Sequence, residues 1–241
     1  MPKNIQEPEQ EPQQESKKHR PIRSFARRIG RITERQKSAL ENLLPILGIT
    51  HAQSPLDYEA VFGRDAPLNI EIGFGMGEAL IAMAQQKPQE NFLGIEVHTP
   101  GIGNLLSQAD ELGLTNIRVI PFDAVEVLKH QIPDGSINSF SIFFSDPWHK
   151  PKHHKRRLIN EVFALQLSKK LTPNGKVFLA TDWEHYAHQM LETFQSCPHF
   201  KNLSPTNDFC PRIESRPLTK FEKRGHRLGH GVWDLIFENQ R

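Results

Sequence analysis

Residues 71–77 read EIGFGMG, or Glu71-Ile72-Gly73-Phe74-Gly75-Met76-Gly77, directly after an apolar stretch that begins at Leu68. A short apolar run ending in G-x-G-x-G predicts a buried strand over 68–72 that turns sharply into a helix over 78–86. Glycine at 73, 75 and 77 lets the backbone turn tightly and approach a ligand where a Cβ would clash. The spacing is not the G-x-x-x-x-G-K-[ST] of a phosphate loop and no Lys-Ser/Thr follows, which argues against a nucleoside triphosphatase. A glycine triplet alone also fits a purely structural turn, so the weight falls on what surrounds it.

The same rhythm continues along the chain. Apolar runs at 92–95, 117–120, 140–144 and 177–180 read as strands, and the segments 102–112, 124–130, 158–171 and 183–196 read as helices. Alternation of this kind predicts an α/β fold with a mostly parallel sheet covered on both faces. Pro173-Asn174-Gly175 reads as a turn before the fifth strand, and 232–237 as a last strand. In an open α/β sheet ligands sit beyond the carboxyl ends of the strands, so the residues there carry the functional reading. Glu71 precedes the glycine loop, Glu96 ends the second strand where a carboxylate can accept ribose hydroxyls, and Asp123 follows the third, within reach of an adenine edge. Glu96 alone also suits a dinucleotide. Glu71 favours S-adenosylmethionine, whose amino group and sulfonium are cationic, over a pyrophosphate.

The fourth strand runs into Ser145-Asp146-Pro147-Trp148-His149-Lys150 and then Pro151-Lys152-His153-His154-Lys155-Arg156-Arg157. This places a carboxylate, a stiff turn and a flat aromatic at the strand end, followed by a density of cations suited to phosphates. The alternatives are an exposed helix start for the basic run and a core position for Trp148. His149, His153 and His154 lack an accompanying cysteine, and no metal site is expected.

Net charge over the 241 residues is only +2, but the charges are segregated. Residues 1–20, with Glu7, Glu9, Glu11 and Glu15 and prolines at 2, 8 and 12, hold too little apolar surface to offset ordering entropy and are expected to be a disordered acidic tail. Residues 21–45 form a basic extension in which Arg27, Arg31 and Arg35 recur at helical spacing. A polyanionic partner suits this stripe as well as a solvated helix face does. The remainder, 46–241, reads as one catalytic domain. Two cysteines without metal or disulfide spacing, no secretory leader and no apolar run of membrane length point to a cytoplasmic protein, with a monomer favoured.

Taken together, EIGFGMG, GIEVHTPGIG (94–103), SDPWHKPKHHKRR (145–157), Thr219-Lys220-Phe221-Glu222 and LGHGVWDL (228–235) resemble the bacterial tRNA (guanine-N7)-methyltransferase family over roughly residues 40–238. The resemblance implies a class I, Rossmann-like methyltransferase sheet of seven strands with the last one reversed, S-adenosylmethionine as cofactor, and guanine 46 of the tRNA variable loop as target. It implies Glu71, Glu96, Asp123 and Asp146 as cofactor-binding acids beside Gly73, Gly75 and Gly77, with Asp146 also catalytic. Lys150, Asp182, Thr219, Lys220, Phe221 and Glu222 match substrate-contacting positions, and Lys152, His153, His154, Lys155, Arg156 and Arg157 an RNA-contacting segment. By spacing alone, Thr219 and Glu222 also fit a helix-capping pair. An exocyclic-amine methyltransferase and a non-catalytic RNA-binding protein on the same fold remain as rival readings.

Overall fold

The computed structural model describes residues 23–25, 30–213, 216, 222 and 231–241. The acidic tail, Arg27, Thr219, Lys220 and Phe221 lie outside them. Helices α1 (Glu34–Asn42), α2 (Leu44–Leu47) and α3 (Tyr58–Phe62) lead into β1 (Leu68–Ile72), α4 (Glu78–Gln86), β2 (Asn91–Ile95), α5 (Thr99–Glu111), β3 (Ile117–Ile120), α6 (Ala124–His130) and β4 (Ile137–Phe143). A 3-10 turn (Pro151–Arg156), α7 (Glu161–Lys170), β5 (Leu171–Thr181), α8 (Glu184–Ser196), β6 (Phe200–Asn202) and β7 (Trp233–Asn239) complete the order.

The strands form one seven-stranded sheet in the order β3-β2-β1-β4-β5-β7-β6, parallel except that β7 runs against both neighbours. This is the seven-stranded class I arrangement with a reversed last strand. Alternate strand residues face opposite sides, so Leu93 and Ile120 join α6, α7 and α8 in one apolar cluster while Phe92 and Val119 join α1, α4 and α5 in another. The order changes direction between β1 and β4, where the crevice for a ligand opens.

Two expectations are corrected. Pro173-Asn174-Gly175 does not precede β5 but bulges within it. Pairing with β4 shifts between Ile137–Leu171 and Ser139–Lys176, and Asn174 takes a left-handed φ of 62°. The arginine stripe does not lie on one helix. Thr33 caps α1, its hydroxyl accepting from the Gln36 N–H while the Gln36 side chain accepts from the Thr33 N–H, so Arg31 precedes the helix. Arg35 instead bonds Ser107 at 2.6 Å and Glu111 at 2.8 Å on α5. Ala39, Leu40, Leu43 and Leu44 belong to the cluster built on α4 and α5.

Candidate active site and nucleic-acid interface

The glycine loop is held open by its own backbone. Gly73 and Gly75 have φ of 73° and 56°, a region costly for any residue with a Cβ, and a Cβ on either would meet nothing within 4 Å. The loop leaves a free concavity at the carboxyl end of β1. The glycines of the 94–103 motif act differently: a Cβ on Gly101 would fall 1.8 Å from the Gly75 carbonyl oxygen, and one on Gly103 2.7 Å from that of Gln36. They let α5 press its first turn onto the loop and α1 press onto α5.

A cavity of about 260 Å³ opens here, and Gly73, Glu96, Asp123 and Asp146 all line it. Glu96 is 9% exposed, with one oxygen accepting from the Gly75 N–H at 2.9 Å and the other from the N–H groups of Val97 and His98. Asp123 caps α6, accepting from the Val125 N–H at 3.0 Å. Burial pushes its carboxyl above the usual range, with the Val125 hydrogen bond and Arg23 opposing. Asp146 is exposed on the cavity wall, three residues past β4.

Glu71 is set deeper. It is 3% exposed near the end of β1, and its Oε2 has no hydrogen-bond partner among the described residues. Burial, reinforced by the charge of Glu96, pushes its carboxyl up to about 8. A buried carboxyl lacking a partner beside an open glycine cradle fits a ligand carrying a cationic amino group, as S-adenosylmethionine does. Between the ordinary 4.5 and about 8 the folded protein holds a proton that the unfolded chain has lost, so stability without cofactor falls as pH rises through that window. Glu71→Gln is expected to flatten this decline in a thermal-melting series from pH 5 to 8, and to abolish the proton release that accompanies cofactor binding in wild type. Equal slopes for the two proteins count against it.

The loop carrying Asp146 is strained and pinned. Phe144 and Trp148 take left-handed φ of 54° and 46°, unusual for aromatic residues. The Phe144 N–H donates to the Ala180 carbonyl at 2.8 Å, tying the end of β4 to β5 and so to Asp182, one residue beyond β5. The fully buried Tyr186 of α8 clasps both ends of the loop: its hydroxyl accepts from Ser145 at 3.4 Å and from the Ile159 N–H at 3.2 Å. Tyr186→Phe leaves the Ile159 N–H buried and unpaired, a cost of about 1–3 kcal/mol, with a melting temperature lower by roughly 2–10 °C. Calorimetry checks both.

The basic run divides in two. Lys150, Lys152 and Lys155 are exposed, and His153 and His154 half-buried. Arg156 lies 3.7 Å over the Trp148 ring and donates to the carbonyls of Arg23 and Phe25, while the Trp148 indole donates to the Ser24 carbonyl. Trp148 is thus neither a core aromatic nor open on both faces; with Arg156 it anchors residues 23–25, two of which, Ser24 and Phe25, line the cofactor-side cavity. His149 packs edge-on to Trp183 at 4.1 Å and His154 meets His185 at 5.0 Å.

Arg157 differs in burial from the rest of the segment expected to contact RNA. It is 2% exposed, donates to the Pro147 carbonyl, His185 and Gln189, and stacks on Tyr186 at 4.8 Å, so it buttresses the Asp146 loop from inside. Glu222 is also placed differently from both readings of its segment. It is buried, its two oxygens accepting from Arg216 and Arg212, and Arg216 in turn reaches Asp234 on β7 at 3.2 Å. The Arg216 guanidinium lies 5.2 Å over the Phe144 ring. Burial opposes ionisation of Glu222, but the two guanidiniums outweigh it and hold the carboxyl below its ordinary value. Ser24, Phe25, Phe122, Tyr186 and Arg216 are members of the site that the sequence reading missed. Tyr186 and Phe122 bear only the apolar signal of core residues, and nothing local marks Ser24 or Arg216.

A family model described as "Putative methyltransferase" matches residues 65–235. Curated proteins named tRNA (guanine-N(7)-)-methyltransferase from Klebsiella pneumoniae and Escherichia coli (strain UTI89) are each 56% identical over 219 residues, covering 91% of this chain and 92% of the relative. One from Aeromonas hydrophila is 55% identical with the same coverage. Among solved structures, the 16S rRNA methyltransferase KamB superposes with a TM-score of 0.57 at 14% identity, over 79% of this chain and 97% of that one, a likeness of fold.

Proposed function

The chain belongs to the tRNA (guanine-N7)-methyltransferase family, and from that premise we propose how its residues divide the work and that guanine 46 of the variable loop is the target. The enzyme transfers a methyl group from S-adenosylmethionine to guanine N7 in tRNA. Bound in the cavity, the cofactor supplies an electrophilic methyl on a positively charged sulfur.

Glu71 would meet the cofactor's ammonium, Glu96 its ribose hydroxyls and Asp123 its adenine edge, with Gly73 and Gly75 leaving the backbone open to it and Gly77 giving the close approach to Leu105 that completes the cofactor-binding loop. Guanine N7 is an unprotonated lone pair, so transfer requires no general base. Alignment is the main demand, and pre-positioning of this kind supplies on the order of 7–11 kcal/mol in favourable cases. Asp146 and Asp182, just beyond the paired ends of β4 and β5, accept from the guanine N1–H and exocyclic amine and offset the positive charge that arrives on the purine. Lys150 donates to O6 or a flanking phosphate, and Thr219, Lys220 and Phe221, outside the described residues, keep the substrate-contacting role that the family resemblance implies. Lys152, His153, His154, Lys155 and Arg156 form the RNA side, while Arg157 and Glu222 position the segments they hold.

The observation that carries this division is the convergence of Glu96, Asp123 and Asp146 on one cavity beside the partnerless Glu71 oxygen. The methyltransferase domain is residues 46–241 behind the basic extension 21–45, and the protein acts as a monomer in the cytoplasm. No helix among the described residues is long and apolar enough to cross a membrane. Incubation with unmodified tRNA and labelled cofactor, followed by N7-specific strand cleavage, is expected to map a single methylated guanine at position 46. Cleavage at another guanine removes the positional assignment.

A further inference from the structure

Beside the cofactor cavity lies a second one of about 440 Å³, between the first turns of α6 and α7. The two share Ser24, Asp123 and Leu158 as a common wall. Its lining combines apolar and cationic side chains with two carboxylates, Asp123 and Glu126. Val125 and Val162 contribute apolar surface, Val162 being 78% exposed, and Arg23, Lys155 and Arg156 supply positive charge. Apolar walls with cations at the rim suit a ligand that is flat and apolar at one end and anionic at the other, and the volume falls within the range of small-ligand sites.

Resting on the tRNA reading above, we propose that this cavity is a second nucleotide subsite, which takes the base of a nucleotide flanking the target guanine between Val125 and Val162, with its phosphate toward Lys155. Charge complementarity selects the occupant: the substrate is a polyanion, and a strand that delivers one base to the cofactor cavity must carry its neighbour past the shared wall. Holding a flanking base in an apolar slot also repays part of the unstacking needed to bring the target base out, as stacking platforms do for single strands. The basic segment thereby gains a reason for its place: Lys155 and Arg156 edge a pocket that reads shape and stacking next to the target, not only backbone charge.

The test uses the full chain with Val162→Asp, a change at an exposed position that leaves the fold and the cofactor cavity intact. Leu165→Asp, one turn further along α7 and outside the cavity lining, serves as control. The KM for unmodified tRNA is expected to rise at least tenfold in Val162→Asp, with kcat at saturating tRNA and affinity for S-adenosylmethionine unchanged, and to stay within twofold in Leu165→Asp. Substrate tRNAs carrying an abasic residue immediately 5′ or 3′ of the target then report the contact itself. One of the two weakens wild type but adds nothing to the Val162→Asp defect. Additive losses for both abasic tRNAs, or equal effects of the two aspartates, overturn the subsite. Wild type that methylates no tRNA guanine overturns the functional reading instead, so the two failures are separate.

Discussion

Asp146→Asn is expected to slow single-turnover methyl transfer, with tRNA and cofactor both saturating, by at least about 100-fold. Asp146 sits on the wall of the cofactor cavity and is exposed to whatever occupies it. The change keeps the size of the side chain and one acceptor oxygen but exchanges the other for a donor and removes the charge. If Asp146 orients the guanine through N1–H and the amine, and offsets the purine's developing charge, both contributions weaken in the transition state. On the proposed division of roles cofactor affinity rests on Glu71, Glu96 and Asp123 and should fall by less than tenfold. The rate at N7 should also show no acidic limb that moves with the substitution, because no proton is removed from the nucleophile. A single-turnover rate within threefold of wild type would sink the proposed role.

Arg216→Ala carries the largest expected cost in stability. The Arg216 side chain is fully buried between Glu222 and Asp234, and its removal leaves two buried carboxylates with too little compensation, about 3–5 kcal/mol. The sign with pH follows from Glu222, whose carboxyl is held below its ordinary value. The stability it contributes is present above the ordinary range and is lost as pH falls through the folded value. The gap between wild type and Arg216→Ala therefore narrows toward acid pH, where the carboxylates take up protons. A gap that is constant from pH 4 to 8 would show that loss of packing over Phe144 dominates instead.

The elements with strong apolar periodicity were legible in the sequence to the residue: β1, α4, β3 and α6 follow their patterns because each is bounded by a glycine loop or an acidic cap. What was not legible has physical causes. β6 spans only three residues, too few to show alternation, and exists through its pairing with β7. Pro173-Asn174-Gly175 has the chemistry of a turn, and a bulge uses the same left-handed geometry, so composition cannot separate them. The start of α1 was encoded in Thr33 and Gln36, a capping box that marks a helix beginning there and not further upstream.

The site divides along the same line. Glu71, Glu96, Asp123 and Asp146 stand out in the sequence because they fall at strand ends, and the structure sets the last three on one cavity. Arg157 was not separable from Lys155 and Arg156, since a run of cations does not reveal which member folds inward. Only the meeting of Tyr186, Pro147 and Gln189 in space makes Arg157 a buttress. Arg216 likewise has meaning only once β7 brings Asp234 beside it.

The most direct measurement replaces the reacting atom. A tRNA carrying 7-deazaguanine at position 46, identical except that a carbon stands where N7 was, is incubated with the enzyme and labelled S-adenosylmethionine beside the unsubstituted tRNA. The account predicts label in the unsubstituted tRNA and none above background in the 7-deaza form, with both binding equally well. Comparable label in both would place the methyl group on another atom and contradict it.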